Sequence, residues 1–244
     1  MTRPEETAGR IAGVVTAAVE RVFACVADLH DAALAALSSG EETARTGATR
    51  LEERARELLA APGQLAVGLG LVAAPRPDRD VRLLWWQADP EGGRVTALRP
   101  DLRPASLDFY DYPAADWFDV PRRTGRRHVV GPYVDVHGTG RYLLTLTGPL
   151  VDGGEFLGVV GADVPVNRFE GSLLRTLDAG TGAVVLLGEE GRVVLSTSPR
   201  WLVGDLLTAP LGASGPAAEV PGTPWRVHLL GGDVVSREGG LLPA

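Results

Sequence analysis

The sequence predicts an α+β protein: long N-terminal helices, then an antiparallel sheet, then a smaller second β lobe. Three observations carry this. Residues 2–37 and the stretch from Ser39 to the Pro62-Gly63 break show helical apolar periodicity. Residues 129–164 read as strands joined by short Gly-rich turns. Residues 183–197 repeat the hairpin pattern on a smaller scale.

In the first helical stretch Ile11, Val15, Ala18, Val22, Cys25, Leu29 and Ala33 recur at intervals of three and four, a stripe that suits burial against a sheet. Thr2 with Glu5 fits a capping box, and Pro4 is tolerated in the first turn. Ser38-Ser39-Gly40 breaks the helix, and Ser39 with Glu42 is expected to cap a second one. That helix carries Ala44, Ala48, Leu51, Ala55 and Leu58 on one face and a charge-rich surface elsewhere. Strands are expected over 65–72, 81–87 and 95–98. The glycines of Gly68-Leu69-Gly70-Leu71-Val72-Ala73 match a dinucleotide fingerprint only formally, because Pro75 and Pro77 follow where a helix should begin. Trp85 and Trp86 must point to opposite faces of their strand, and Trp86 is a candidate for the pocket side.

Phe109 to Phe118 reads as an irregular or helical segment rich in aromatics, and Pro121 to His128 as a polar basic loop. Three strands, 129–136, 142–151 and 156–164, then form a meander, followed by a helix over about 166–177. Tyr133 and Asp135 share one strand face, as do Val159, Gly161 and Asp163. A short helix is expected within 199–207, a mobile Gly/Ala/Pro loop over 208–221, and a last strand over 225–230. The domain boundaries that follow are 1–62 for the helices, 63–179 for the principal module and 180–244 for the second lobe.

The chain has 244 residues, 45% of them apolar, and a net charge of −7, which argues against a phosphate-backbone binder. The N-terminus lacks a signal-peptide pattern. The longest nearly apolar run, Leu65 to Ala74, is about half the ~20 residues of a spanning helix, so the expected location is cytoplasmic, with no membrane contact. Catalysis is not expected. No GxSxG elbow is present, Cys25 sits in a helix, and His30, His128, His137 and His228 are scattered. Asp135 and His137 offer two metal ligands without a third, and no cofactor is expected.

The order of long helices, Trp117-Phe118, Gly131-Pro132-Tyr133-Val134-Asp135, the run from Leu143 to Val166 and a following helix resembles the Cache family of PAS-like ligand-sensing domains. The resemblance covers about residues 5–200 and is most specific from Trp117 to Asp163. The hairpin at 183–199 is similar to the start of the second lobe in double Cache domains, here shortened. It implies a small-molecule sensor whose ligand is held by Tyr110 or Tyr112, the Trp117-Phe118 pair, Tyr133 and Asp163. Ala115 stands where amino-acid-sensing members carry an arginine, so the carboxylate clamp is missing. A carboxylate among aromatic rings suits a cation, with Asp135 alongside, so the expected ligand is an amine or another cationic metabolite. Arg122, Arg126, Arg127 and His128 offer a carboxylate site as an alternative, and a scaffold or dimerisation module is a third reading. A homodimer through residues 2–37 and a separate signalling partner, such as a transcriptional regulator, complete the expectation.

Overall fold

The computed structural model describes residues 3–76, 83–89, 94–103, 105–136, 139–177, 181–207 and 215–230. Thr2, His137, Gly138, residues 178–180 and 208–214 and the tail from 231 lie outside them. The chain forms two compact units, one of residues 16–172 and one of residues 1–15 with 173–244. The N-terminal helices therefore do not stand apart as a separate 1–62 segment.

Three helices open the chain: α1 (Pro4–Asp28), α2 (His30–Ala36) and α3 (Glu41–Ala60). The expected continuous first helix is interrupted at Leu29, whose N–H reaches back only three residues, to Val26 O at 3.2 Å. Leu29 is fully buried, so packing holds this tightened turn. The cap of α3 also differs from expectation. Gly40 is its N-cap and no side chain caps it; Ser38 Oγ instead accepts the Gly40 N–H at 3.3 Å.

The larger unit is built on a six-stranded antiparallel sheet. Its strands are β1 (Gly68–Ala73), β2 (Leu83–Ala88), β3 (Val95–Ala97), β4 (His128–Val134), β5 (Tyr142–Asp152) and β6 (Glu155–Pro165), in the order β3-β2-β1-β6-β5-β4. β5 and β6 pair through a two-residue turn at Gly153-Gly154, whose φ values of 56° and 85° both lie in the left-handed region. The formal dinucleotide fingerprint is β1, buried along its whole length between β2 and β6. One sheet face packs under the helices, where Val26 of α1 lies over Gly148 and α3 crosses β1 and β2.

The other face carries a short 3-10 turn, Tyr112–Ala114, and α4 (Asp116–Thr124). The expected basic loop is thus partly helix: Pro121 to Thr124 continue α4, Gly125 ends it with φ 64°, and His128 begins β4. Pro121 has no N–H, so the Trp117 carbonyl four residues earlier is left without its helical donor. Thr147 Oγ1 of β5 donates to that carbonyl at 2.6 Å, and Thr147 is wholly buried. One side chain thereby ties α4 to the sheet at the site residue Trp117.

The smaller unit holds β7 (Ala183–Leu187), β8 (Val193–Ser196), β9 (Ala217–Glu219) and β10 (Arg226–Leu230), in sheet order β8-β7-β10-β9. Ile11 and Val15 of α1 and Leu173 of α5 (Val166–Leu174) line an apolar hollow with this sheet. No helix forms over 199–207; that stretch is turns and an isolated bridge from Arg192 to Leu206. Residues 217–219 of the expected loop are strand, because Ala217 to Glu219 pair with β10.

Thr147→Val keeps the shape and removes the hydroxyl donor, which leaves the Trp117 carbonyl buried and unpaired. Stability should fall by about 1–3 kcal/mol, read by urea denaturation, with Thr147→Ser close to wild type. An unchanged midpoint in Thr147→Val would show that the α4 tie contributes nothing.

Candidate functional site

On the α4 side of the larger sheet lies a cavity that is partly open to solvent. Among the described residues it is lined by Val72, Leu83, Trp85, Leu98, Tyr110, Trp117, Tyr133, Asp135, Thr145 and Asp163. The sheet register explains the gathering. Thr145 pairs with Asp163, and Asp163 pairs with Gly68, so these residues stand in one row on one face. The adjacent row runs Thr147, Gly161, Gly70, Trp85.

Glycine makes the room. A Cβ on Gly68 would stand 2.7 Å from Trp85 Nε1 and 3.0 Å from Asp163 Oδ2; one on Gly161 would stand 2.6 Å from Thr147 Cγ2 and 3.3 Å from Trp85 Cη2. The indole of Trp85 thus lies along a furrow that only glycine leaves open. Tyr133 reaches the cavity from β4 across a register shift between Val130 and Tyr133. Such bulges re-aim side chains.

Asp163 is 6% exposed. Thr145 Oγ1 donates to its Oδ1 at 2.8 Å, and Tyr133 Oη lies 2.8 Å from Thr145 Oγ1. When Asp163 is ionised it can only accept, so the chain of donors runs from Tyr133 through Thr145 to the carboxylate. Trp85 Nε1–H stands near enough to favour the ionised form, yet it makes no well-formed hydrogen bond and remains a buried donor without a partner. Burial, with Asp135 as a nearby like charge, outweighs these donors and pushes the Asp163 carboxyl up to about 7. Burial, and then the two carboxylates, also raise the Tyr110 and Tyr133 hydroxyls, so both phenols stay protonated donors. Asp135 is equally buried; Thr139 N–H donates to its Oδ2 at 2.8 Å, and Tyr110 Oη lies 3.5 Å from its Oδ1.

The structure brings together Tyr110, Trp117, Tyr133, Asp135 and Asp163 of the residues the sequence singled out. Tyr112 and Phe118 sit behind the wall. Tyr112 Oη donates to Ala73 O at 3.0 Å, and the Phe118 ring packs edge-on against Tyr112, Trp117 and Phe156. Trp86 lies on the opposite sheet face from the cavity, and Trp85 takes the cavity side. Arg126 is exposed, and neither it nor His128 is on the cavity wall. The basic segment is engaged by the protein's own acids and rings. Arg122 and Arg123 both pair with Asp119, while Arg127 pairs with Glu20 and stacks over Phe23 at 4.5 Å. Sequence reading missed Trp85 and Thr145. Parity along each strand contained the signal for both, since Thr145 alternates with Leu144 and Leu146, but it needed the register of β5 against β6 to say which parity faced the cavity. His137, paired with Asp135 as a metal-ligand candidate, lies outside the described residues.

Residues 96–170, which bear most of this cavity, match the family model described as the first PDC sensor domain of methyl-accepting chemotaxis protein-like proteins. No curated protein matches the sequence. Among solved structures, the chain is similar to methyl-accepting chemotaxis protein X, with 16% identity, 92% of this chain and 94% of that one covered, and a TM-score of 0.64. It is also similar to the extracellular domain of the putative histidine kinase soHK1S-Z6, at 17% identity, 93% and 91% coverage and a TM-score of 0.62. A third is the ligand-binding domain of the Pseudomonas aeruginosa PAO1 amino acid chemoreceptor PctC in complex with GABA, at 22% identity, 92% and 97% coverage and a TM-score of 0.55. The chain thus has a PDC/Cache-like fold, and its cavity-bearing segment matches the family model of a PDC sensor domain. Among the described residues no helix is long and apolar enough to cross a membrane.

The raised Asp163 carboxyl sets a pH dependence. Between the ordinary 3.8 and about 7 the native state holds a proton that the unfolded chain has released, so stability is lost as pH rises through this window. A shift of this size corresponds to a cost on the order of 4 kcal/mol above pH 8. Asp163→Asn should remove that slope and be more stable than wild type at pH 8, as measured by urea denaturation across pH 5–8. Parallel pH profiles for the two proteins would contradict the assignment.

Proposed function

We propose that this chain senses an amine or another small cationic metabolite and passes its occupancy to a signalling partner. The observation that carries the reading is the Asp163 carboxylate. It is buried at the end of a cavity walled by Trp85, Trp117, Tyr110 and Tyr133, and no ion-pair partner for it exists among the described residues. An ammonium at Asp163 would supply the missing charge, and each facing ring adds about 0.5–2 kcal/mol of cation–π attraction. Neutralising the carboxylate also removes the cost of keeping it charged in a buried site.

Domains of this fold include one seen with GABA, whose ammonium is accompanied by a carboxylate. Here no arginine or histidine is on the cavity wall among the described residues, and Ala115, the N-cap of α4, stands where the resemblance to Cache domains expects an arginine. That favours cations lacking a carboxylate over amino acids. The basic segment at 122–128 supports a carboxylate site less well, because Arg122, Arg123 and Arg127 are already paired with Asp119 and Glu20.

A thermal-shift screen of amines, amino acids and carboxylates tests this. A ligand at one hundred times its Kd adds about 2.7 kcal/mol, which for a chain of this size raises Tm by about 5–10 °C. Amines should shift the wild type and fail to shift Asp163→Ala. Equal shifts in both proteins, or shifts by carboxylates alone, would refute the role of Asp163.

A further inference from the structure

Two carboxylates face this one cavity. Asp163 arrives from β6 and Asp135 from the chain just beyond β4, and each is 6% exposed. Neither makes an ion pair among the described residues. Asp135 is one of the influences that raise Asp163, and both acids act on the Tyr110 and Tyr133 hydroxyls, so the two charges are neighbours within one site. Arg141 lies near enough to favour an ionised Asp163, but its guanidinium is held on Ala88 O, with both terminal nitrogens at 3.3 Å, and is not on the cavity wall.

One ammonium answers only one of these acids. With a single cation at Asp163, Asp135 would still face the occupied cavity with no cation of its own. We propose that the cavity selects a ligand with two cationic groups, of which an α,ω-diamine is the simplest: one ammonium meets Asp163, the other meets Asp135, and the methylene stem lies against Val72, Leu83 and Leu98. The second contact rests on the reading of Asp163 as an ammonium site and adds to it. The tyrosines serve it in a particular way. Tyr133 and Tyr110 each stand beside one acid, directly or through Thr145, so each end of the ligand meets a carboxylate already oriented by a phenol. The rings of Trp117 and Trp85 cover the ligand between them.

Isothermal titration at pH 8 with 1,4-diaminobutane and 1,5-diaminopentane against n-butylamine and n-pentylamine tests the proposal on the wild-type chain alone. The diamines should bind about tenfold or more tighter than the monoamines of matched length. Asp135→Asn should bring the diamines to the monoamine level, while Asp163→Asn should weaken both. Diamines and monoamines within twofold of each other on the wild type would overturn the two-cation site while leaving the amine reading intact. Equal weakening of both by Asp135→Asn would overturn it too. If no amine of either kind binds the wild type, the Asp163 reading falls, and this proposal with it.

Discussion

The buried carboxylate of Asp163 is the constraint on which the site depends. A buried carboxyl either takes up a proton or finds a positive charge. Its neighbours hold it between these outcomes. Thr145, backed by Tyr133, favours the ionised form, while burial and Asp135 oppose it, and the balance leaves the group near neutrality. A group so placed responds strongly to a cation, since the ligand supplies the one interaction the fold withholds. The same arrangement couples binding to stability, because an occupied site removes a cost that the empty one carries.

The scaffold exists to hold that group still. β6 lies at the centre of the sheet, paired on both edges, so Asp163 is fixed by β1 and β5 together. Glycines at 68 and 161 leave the space that Trp85 fills, and the missing amide of Pro121 frees the Trp117 carbonyl for Thr147. These features are local deviations from ideal strand or helix chemistry, and they converge on the cavity. Away from it the chain follows ordinary rules: the apolar stripes of the helices cover the other sheet face, and the basic residues after Trp117 pair with Asp119 and Glu20.

Much of this was legible in the sequence. Strand-like segments joined by Gly-rich turns from Val129 to Val164 marked the meander, and the resemblance to Cache domains pointed to Trp117, Tyr133 and Asp163, which line the cavity. What was not legible needed either register or tertiary packing. The choice of Trp85 over Trp86 depends on which face of β2 meets Gly70, and local pattern is silent on that. Tyr110 and Tyr112 are equivalent by composition; only the 3-10 turn between Tyr112 and Ala114 sends one to the cavity and the other to Ala73 O. The break at Leu29 has no proline or glycine to announce it, and the segment from Pro121 to Thr124 reads as loop by composition because the proline is tolerated where its missing hydrogen bond is replaced from β5. The strand at 217–219 lies in a Gly/Ala/Pro-rich stretch and exists because β10 offers it an edge.

The site turns on the charge state of one carboxyl, and side-chain carboxyl NMR on the ligand-free protein reads it directly. With aspartate labelled at Cγ, and Asp163→Asn used to assign the resonance, the Asp163 signal should titrate with a midpoint near 7, far above the ordinary aspartate range. A saturating amine should move that midpoint down. A midpoint near 4 in the free protein would show that the carboxylate is already compensated, and Asp163 would then have no unmet charge to offer a cation.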